Sequence, residues 1–333
     1  MVLNKSPLYY PDKMLSREGA PLFNEVALEI FQFQYSNNIV YQTFVDLLQI
    51  KVEKVAAINE IPFLPVEFFK THKVVSENTP IERVFLSSGT TGMEQSKHYV
   101  TDLSVYENSF RQGFRYFYGD PAEYCILALL PSYQEREGSS LIYMAADLIK
   151  QSGHKESGFY LNNTMELVEK LRVLDASGQK ILLLGVSYAL LEVAENFHLN
   201  LKNTIVMETG GMKGKRREII REELHEKLCK SFGVQSIHSE YGMTELLSQA
   251  YSKGKGIFEC PPWMRVVIRE TNDPFNFIGH NRSGAINIID FANINSCSFI
   301  ATQDLGKTSE KNEFEVLGRF DNTDIRGCNL LIE

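Results

Sequence analysis

The apolar positions change their spacing twice along the chain, and those changes divide it. Up to about residue 75 they fall in helical stripes, with Val26, Ile30 and Phe33 on one face and Phe44, Leu47 and Leu48 on another. The segment IPFLPVEFFK, residues 61–70, breaks that period. Pro62 and Pro65 sit among aromatics and bias it towards an extended, packed connection. From about residue 80 short apolar runs take over, at 84–87, 125–130, 181–184, 204–207 and 234–237. Helical patterns separate most of them, at 139–150, 165–174, 188–196 and 216–230. Strands alternating with helices of that length predict parallel βαβ units. Past Trp263 the texture becomes strand and turn, with strands expected at 266–269, 285–289 and 314–317. The expected organisation is a helical cover over 1–78, an α/β core over 79–262, and a small β-rich subdomain with a tail over 263–333.

Composition narrows the class without changing that outline. The chain has 333 residues, 44% hydrophobic and 23% charged, enough for one large α/β domain or two unequal lobes. No apolar run is long enough to span a bilayer, and the first residues lack the charged-then-apolar pattern of a secretory signal. Cys125, Cys229, Cys260, Cys297 and Cys328 show no paired spacing, so neither a zinc site nor a disulfide framework is expected. A reducing, cytoplasmic location fits. The formal net charge of −8 argues against nucleic-acid binding, which draws on clustered cations. The one basic cluster, KGKRR at 213–217, suits a solvated helix start as well as a role near a nucleotide.

The polar residues are placed more tellingly than the charges. Small, polar or glycine-rich segments follow the expected parallel strands, at 87–92, 131–133, 185–187, 208–211 and 239–245. All of them fall at carboxyl ends of strands, the edge along which open α/β sheets bind ligands.

Two of these segments carry the sharpest chemistry. In LSSGTTGMEQSK, residues 86–97, Gly89 and Gly92 let the backbone turn tightly and point successive N–H groups inward, a nest for phosphate oxygens. Ser87, Ser88, Thr90 and Thr91 add hydroxyls, and Lys97 adds a cation. The order differs from a P-loop, and a Ser/Thr/Gly run by itself also suits a plain loop. In SEYGMTE, residues 239–245, Tyr241 offers a stacking face and Gly242 allows close approach. Glu245 suits Mg²⁺, which binds through one or two carboxylates and keeps several waters. The same segment also suits a turn with Thr244 as a helix cap.

SSGTTG followed by a lysine, then YGMTE, resembles the motifs of the adenylate-forming superfamily of acyl-CoA synthetases, adenylation domains and luciferases. ETGG at 208–211, TQDLG at 302–306 and GRFDNTDIRG at 318–327 follow in that family's order. IPFLPVEFFK and the short chain resemble, within it, the LuxE-type acyl-protein synthetases. The resemblance implies an α/β adenylate-forming large domain with a small β subdomain. It implies ATP and Mg²⁺ as cofactors, and a carboxylic, fatty acid converted to acyl-AMP and passed to a protein thiol. Position by position, Ser88, Gly89, Thr90, Thr91, Gly92 and Lys97 would wrap the β- and γ-phosphates. Gly210 and Gly211 would lie on one adenine face, with Tyr241 and Gly242 on the other. Thr244 would bind the α-phosphate and Glu245 the Mg²⁺. Asp304 would accept from the ribose hydroxyls, with Arg319 nearby.

Departures from the family pattern matter too. Tyr133 stands roughly where many relatives have a histidine, and Thr-Gln-Asp at 302–304 replaces Thr-Gly-Asp. A mobile carboxyl-terminal domain of about one hundred residues follows the GRFD-like hinge in full-length relatives. Here the chain stops at Glu333, fifteen residues past Gly318. LuxE-type proteins share that shortening and carry an acceptor cysteine near the end. Cys328, in DIRGCNLL, matches it, and Arg319 and Arg326 would favour its thiolate. Cys328 also reads as an ordinary packed thiol. The resemblance allows an acyl-CoA-reductase-like or carrier-protein partner. The rival readings are an acyl-CoA ligase of the phenylacetate-CoA ligase kind and a non-catalytic nucleotide- or acyl-binding subunit. His238 and His280 are expected to be structural.

Overall fold

The structure, a computed structural model, describes residues 23–77, 79–88, 94–131, 138–210 and 219–319. The continuous apolar runs lie where they can be covered on both faces. Cys125–Leu129, Ile181–Val186, Thr204–Thr209 and His238–Tyr241 pair in parallel, in that spatial order. Gly158–Phe159 adds a parallel strand beside Cys125–Leu129, and Ala250–Ser252 closes the other flank antiparallel. Every residue of Cys125–Leu129 and Ile181–Val186 is buried, as parallel strands clad by helices should be. The helices Leu103–Tyr118, Ser140–Ser152, Thr164–Ala176, Ser187–Asn196 and Arg221–Phe232 supply that cladding. Phe110, Met144, Leu167, Leu190 and Leu228 join the strands in one apolar cluster.

A second sheet is mostly antiparallel. Its order is Ile257–Phe258, Phe314–Arg319, Phe299–Thr308, Gly284–Asp290, Met264–Arg269 and Phe277–Ile278. Leu64–Pro65 joins it in parallel, against Ile300 and Ala301. That short strand belongs to IPFLPVEFFK, whose Ile61, Phe63, Leu64, Val66 and Phe69 are all buried, so the extended, packed connection is present. The helices Phe23–Asn37 and Ile39–Leu47 share this sheet's core. Phe23 stacks on Phe291 and Phe31 meets Phe299 edge-on.

Several elements differ from expectation for identifiable reasons. The run at 84–87 is not a parallel strand: Arg83–Leu86 pairs antiparallel with Lys97–Val100 in a two-stranded sheet of their own. The connection between them is too short for a crossover, which needs a dozen or more residues. The run at 234–237 precedes its strand, which is the polar His238–Tyr241. There Ser239 and Glu240 are buried, with Glu240 accepting a hydrogen bond from Thr209 on the neighbouring strand. The long helix Leu103–Tyr118 and the ten-residue strand Phe299–Thr308 were not foreseen at all. Near the amino terminus Val26 and Ile30 are buried as expected, but Phe31 replaces Phe33 as the inward residue. Asn38 caps a new helix at Ile39 and resets the phase, so Tyr41 and Val45 face inward and Leu47 is 78% exposed. Among the described residues no helix is long and apolar enough to cross a membrane.

Candidate functional site

Three neighbouring parallel strands end at one level. Val186 pairs with Thr209 and Thr209 with Glu240, so Ser187, Gly210 and Tyr241 emerge side by side at the carboxyl edge. The hydroxyl of Ser187 lies 2.5 Å from the Gly210 carbonyl oxygen and 3.1 Å from Glu208 Oε2. Gly210 turns the chain at φ 65°, a left-handed conformation natural to glycine. Beneath it Glu208 is buried. Burial would raise its pKa, yet His225, Arg221 and Ser239 outweigh that and hold the carboxyl below its usual range. Just past the next strand, a Cβ at Gly242 would come within 2.4 Å of Glu240 Oε1, the end of a side chain that would have to shift.

Tyr241 and Asp304, distant in sequence, are in contact. The Tyr241 hydroxyl donates to Asp304 Oδ2 at 2.7 Å. Strand register places Arg319 opposite Asp304, with Nε 3.9 Å from Oδ1. Burial pushes the Asp304 carboxyl up, against the pull of Tyr241 and Arg319. Burial and the neighbouring Asp304 carboxyl together push the Tyr241 phenol well above its ordinary range, so it stays a donor. Phe258 and Phe314 pack edge-on against the Tyr241 ring and fix it.

The hairpin Arg83–Leu86/Lys97–Val100 brings in the other half. At the base of its loop Ser87 N donates to the Ser96 carbonyl at 3.0 Å, and Ser96 N donates to Ser87 Oγ at 2.9 Å. Ser96 favours the charged form of the nearby Glu245 carboxyl. That carboxyl is 6% exposed, and its pKa is raised by burial despite Ser96 and the charges of Arg319 and Lys70. Lys97, next to Ser96, is exposed, as is Ser88 across the loop; Thr244 is half-buried. His98 then turns inward. Its Nδ1 is 2.9 Å from the Thr244 carbonyl oxygen and its Nε2 is 2.9 Å from Ser296 Oγ, and burial lowers its pKa to about 4.

Behind Glu245 the turn is tied down by polar side chains. Asn293 Nδ2 donates to the Glu245 carbonyl at 2.7 Å. Asp290 accepts from Leu247 N, Ser248 N, Ala292 N and the Ser248 hydroxyl. The indole of Trp263 reaches Ser248 Oγ at 3.0 Å and Ser109 Oγ at 3.1 Å. Sequence reasoning missed His98, Asp290 and Asn293. None of them belongs to a motif that would mark it.

The structure thus brings Gly210, Tyr241, Gly242, Asp304 and Arg319 together at one edge, and Ser96, Lys97, Thr244 and Glu245 beside one another. Gly89, Thr90, Thr91, Gly92, Tyr133, Gly211, the basic cluster at 213–217 and Cys328 lie outside the described residues. Among the described residues no group of three or more His, Cys, Asp or Glu side chains could hold a metal ion. A divalent ion at Glu245 would therefore take most of its ligands from substrate oxygens and water. The buried carboxylate of Glu245, close to the exposed Lys97 and half-buried Thr244, fits that demand. Separately, a cleft of about 450 Å³ opens between Phe44, Ile61, Phe63, Phe277 and Gln303, with Arg269 in its wall.

The fold is that of the adenylate-forming enzymes. The structure superimposes on a 2-hydroxyisobutyryl-CoA ligase in complex with R3-HIB-AMP with TM-score 0.66 at 9% identity, covering 92% of this chain and 69% of that one. ATP-bound MatB from Rhodopseudomonas palustris gives TM-score 0.55 at 13% identity, over 72% of this chain. The match takes in 48% of the MatB chain, about half its length. A long-chain-fatty-acid-CoA ligase (FadD1) from Archaeoglobus fulgidus gives 0.52 at 15% identity, over 74% and 52%. Comparison with curated proteins gives no match. A family model described as acyl-protein synthetase, LuxE, matches residues 1–333, and the chain belongs to that family.

Proposed function

We propose that this chain activates a fatty acid with ATP as acyl-AMP and then passes the acyl group to a protein thiol. The observation that carries the reading is the contact of Tyr241 with Asp304, which joins the two sheets at the carboxyl end of the parallel strands. In this reading the adenosine lies along Gly210 and Tyr241, and Asp304 and Arg319 face the ribose. Thr244 and Lys97 face the phosphates. A carboxylate oxygen of the acid forms a bond to the α-phosphorus, and the bond from that phosphorus to the bridging oxygen breaks. Pyrophosphate leaves with the electron pair. Aligned donors and cations stabilise the charge that builds up on the phosphates. Mg²⁺, held through Glu245, would supply further neutralisation of that charge. A cysteine thiolate, for which Cys328 is the candidate, would then attack the acyl carbonyl and release AMP.

The test is Mg²⁺-dependent ATP–pyrophosphate exchange across a panel of carboxylic acids. Exchange should appear with fatty acids and vanish in Glu245→Ala. Wild-type exchange in that variant would refute the metal assignment. Labelled fatty acid should also give a hydroxylamine-sensitive protein adduct that is lost in Cys328→Ser while exchange persists. AMP release that depends on CoA instead would favour an acyl-CoA ligase.

A further inference from the structure

The segment IPFLPVEFFK buries most of its apolar residues and ends on a lysine. Lys70 is half-buried at the end of the short helix Phe68–Thr71, and none of the ion pairs between described residues involves it. A cation left unpaired in a partly desolvated position calls for a partner.

Two anchors set the direction in which it points. Phe69 is fully buried and meets the His98 ring edge-on at 5.5 Å between centroids, and His98 holds the Thr244 carbonyl. One turn earlier Glu67 accepts a hydrogen bond from Gln303 Nε2. Gln303 Oε1 in turn accepts from Arg319 Nη2 at 3.2 Å. Glu67 and Lys70 are three residues apart and share a helical face. The turn that carries Lys70 is therefore anchored towards Thr244 through Phe69 and towards Arg319 through Glu67, the two ends of the candidate site.

We propose that Lys70 is a polyphosphate-binding residue, which engages the β- and γ-phosphates of ATP and then the departing pyrophosphate alongside Lys97. The proposal rests on the acyl-adenylate reading above. When the carboxylate attacks the α-phosphorus, the breaking bond leaves its electron pair on pyrophosphate, and no proton need move. A lysine supplies a compact point charge suited to that growing negative charge. It comes from the amino-terminal quarter of the chain, so the phosphate site joins the segment IPFLPVEFFK to the strand that begins at Lys97.

The test compares Lys70→Met, which keeps the stem and removes the charge, with Lys70→Arg, which keeps a charge. Titration of ATP, pyrophosphate and AMP into each protein separates the phosphates from the nucleoside. Lys70→Met should weaken ATP and pyrophosphate binding by about tenfold to a hundredfold and leave AMP within about twofold. Its KM for pyrophosphate in exchange should rise in step, and Lys70→Arg should recover most of the loss. Unchanged pyrophosphate affinity in Lys70→Met would overturn the proposal, and so would an equal loss for AMP. A wild-type protein that exchanges with no acid refutes the functional reading instead, while the pyrophosphate titration still decides on Lys70.

Discussion

The parallel sheet's interior and the turn that follows Tyr241 are both buried, yet they are held in opposite ways. Leu183 lies in the apolar cluster between Leu127 and Val206 on the adjacent strands, and burial there depends on area and shape. Around Leu247 and Ser248 the backbone amides end on Asp290 and Asn293, the Ser248 hydroxyl on Asp290, and the only tryptophan on Ser248. Apolar contacts tolerate small shifts, whereas hydrogen bonds fix direction. The candidate site sits on the second kind of foundation. Glu245 must be aimed, and aiming requires directional contacts that a purely apolar core cannot provide.

The largest effect should come from Asp290→Ala, which removes an acceptor from four buried donors, of which Leu247 N keeps a second partner on Asn293. A loss of about 3–5 kcal/mol is expected, as for breaking a buried polar cluster by removing one partner. Exchange should vanish, and Trp263 emission should shift to the red in the native state. Native-like emission with full activity would show that the turn is aimed by something else.

Leu183→Ala sharpens the contrast. It should cost about 2–5 kcal/mol in chemical denaturation. Exchange per folded molecule should stay within about twofold, because the cavity lies away from the directional contacts. A collapse of activity at retained fold would erase the distinction between the two regions.

The pH dependence separates them more finely. Burial raises the Asp290 carboxyl to about 6, against its four hydrogen bonds. Its contribution to stability is thus complete below the usual carboxylate range and is lost as pH rises through about 6. His98, lowered to about 4, behaves oppositely: its contribution is complete above 6.5 and is lost as pH falls through about 4. In the wild type the two slopes offset each other. Asp290→Asn should therefore gain stability as pH rises from 4 to 6.5, and His98→Gln should lose it over 4 to 6. Parallel profiles in the two variants would contradict these assignments. The smallest effect is expected from Tyr241→Phe, which removes one hydrogen bond to Asp304 and should cost about 1 kcal/mol, read as a few-fold change in ATP affinity.

What the sequence disclosed follows the same division. Cys125–Leu129, Ile181–Val186 and Thr204–Thr209 were legible because strands buried on both faces are written as apolar runs. His238–Tyr241 was misplaced because a strand of His-Ser-Glu-Tyr carries no such signature, its burial being satisfied by hydroxyl–carboxylate pairs. Leu103–Tyr118 escaped because its buried face mixes Ser109 and Gly113 with aromatics. At the site, glycines and the Tyr241 and Asp304 positions were legible as motif letters. Asp290, Asn293 and His98 act through contacts between distant parts of the chain, and no local pattern encodes those.

The pairing of Leu64–Pro65 with Ile300 and Ala301 has a consequence for synthesis. The first helices of the nascent chain leave the ribosome with Phe23, Ile30, Phe31 and Tyr41 facing a sheet that does not yet exist. At ordinary elongation rates the strand Phe299–Thr308 follows roughly 10 to 50 s later. The parallel sheet has all its strands and helices by then and is free to condense first. Through that interval the apolar face of these two helices is exposed, which makes them a natural substrate for a holding chaperone.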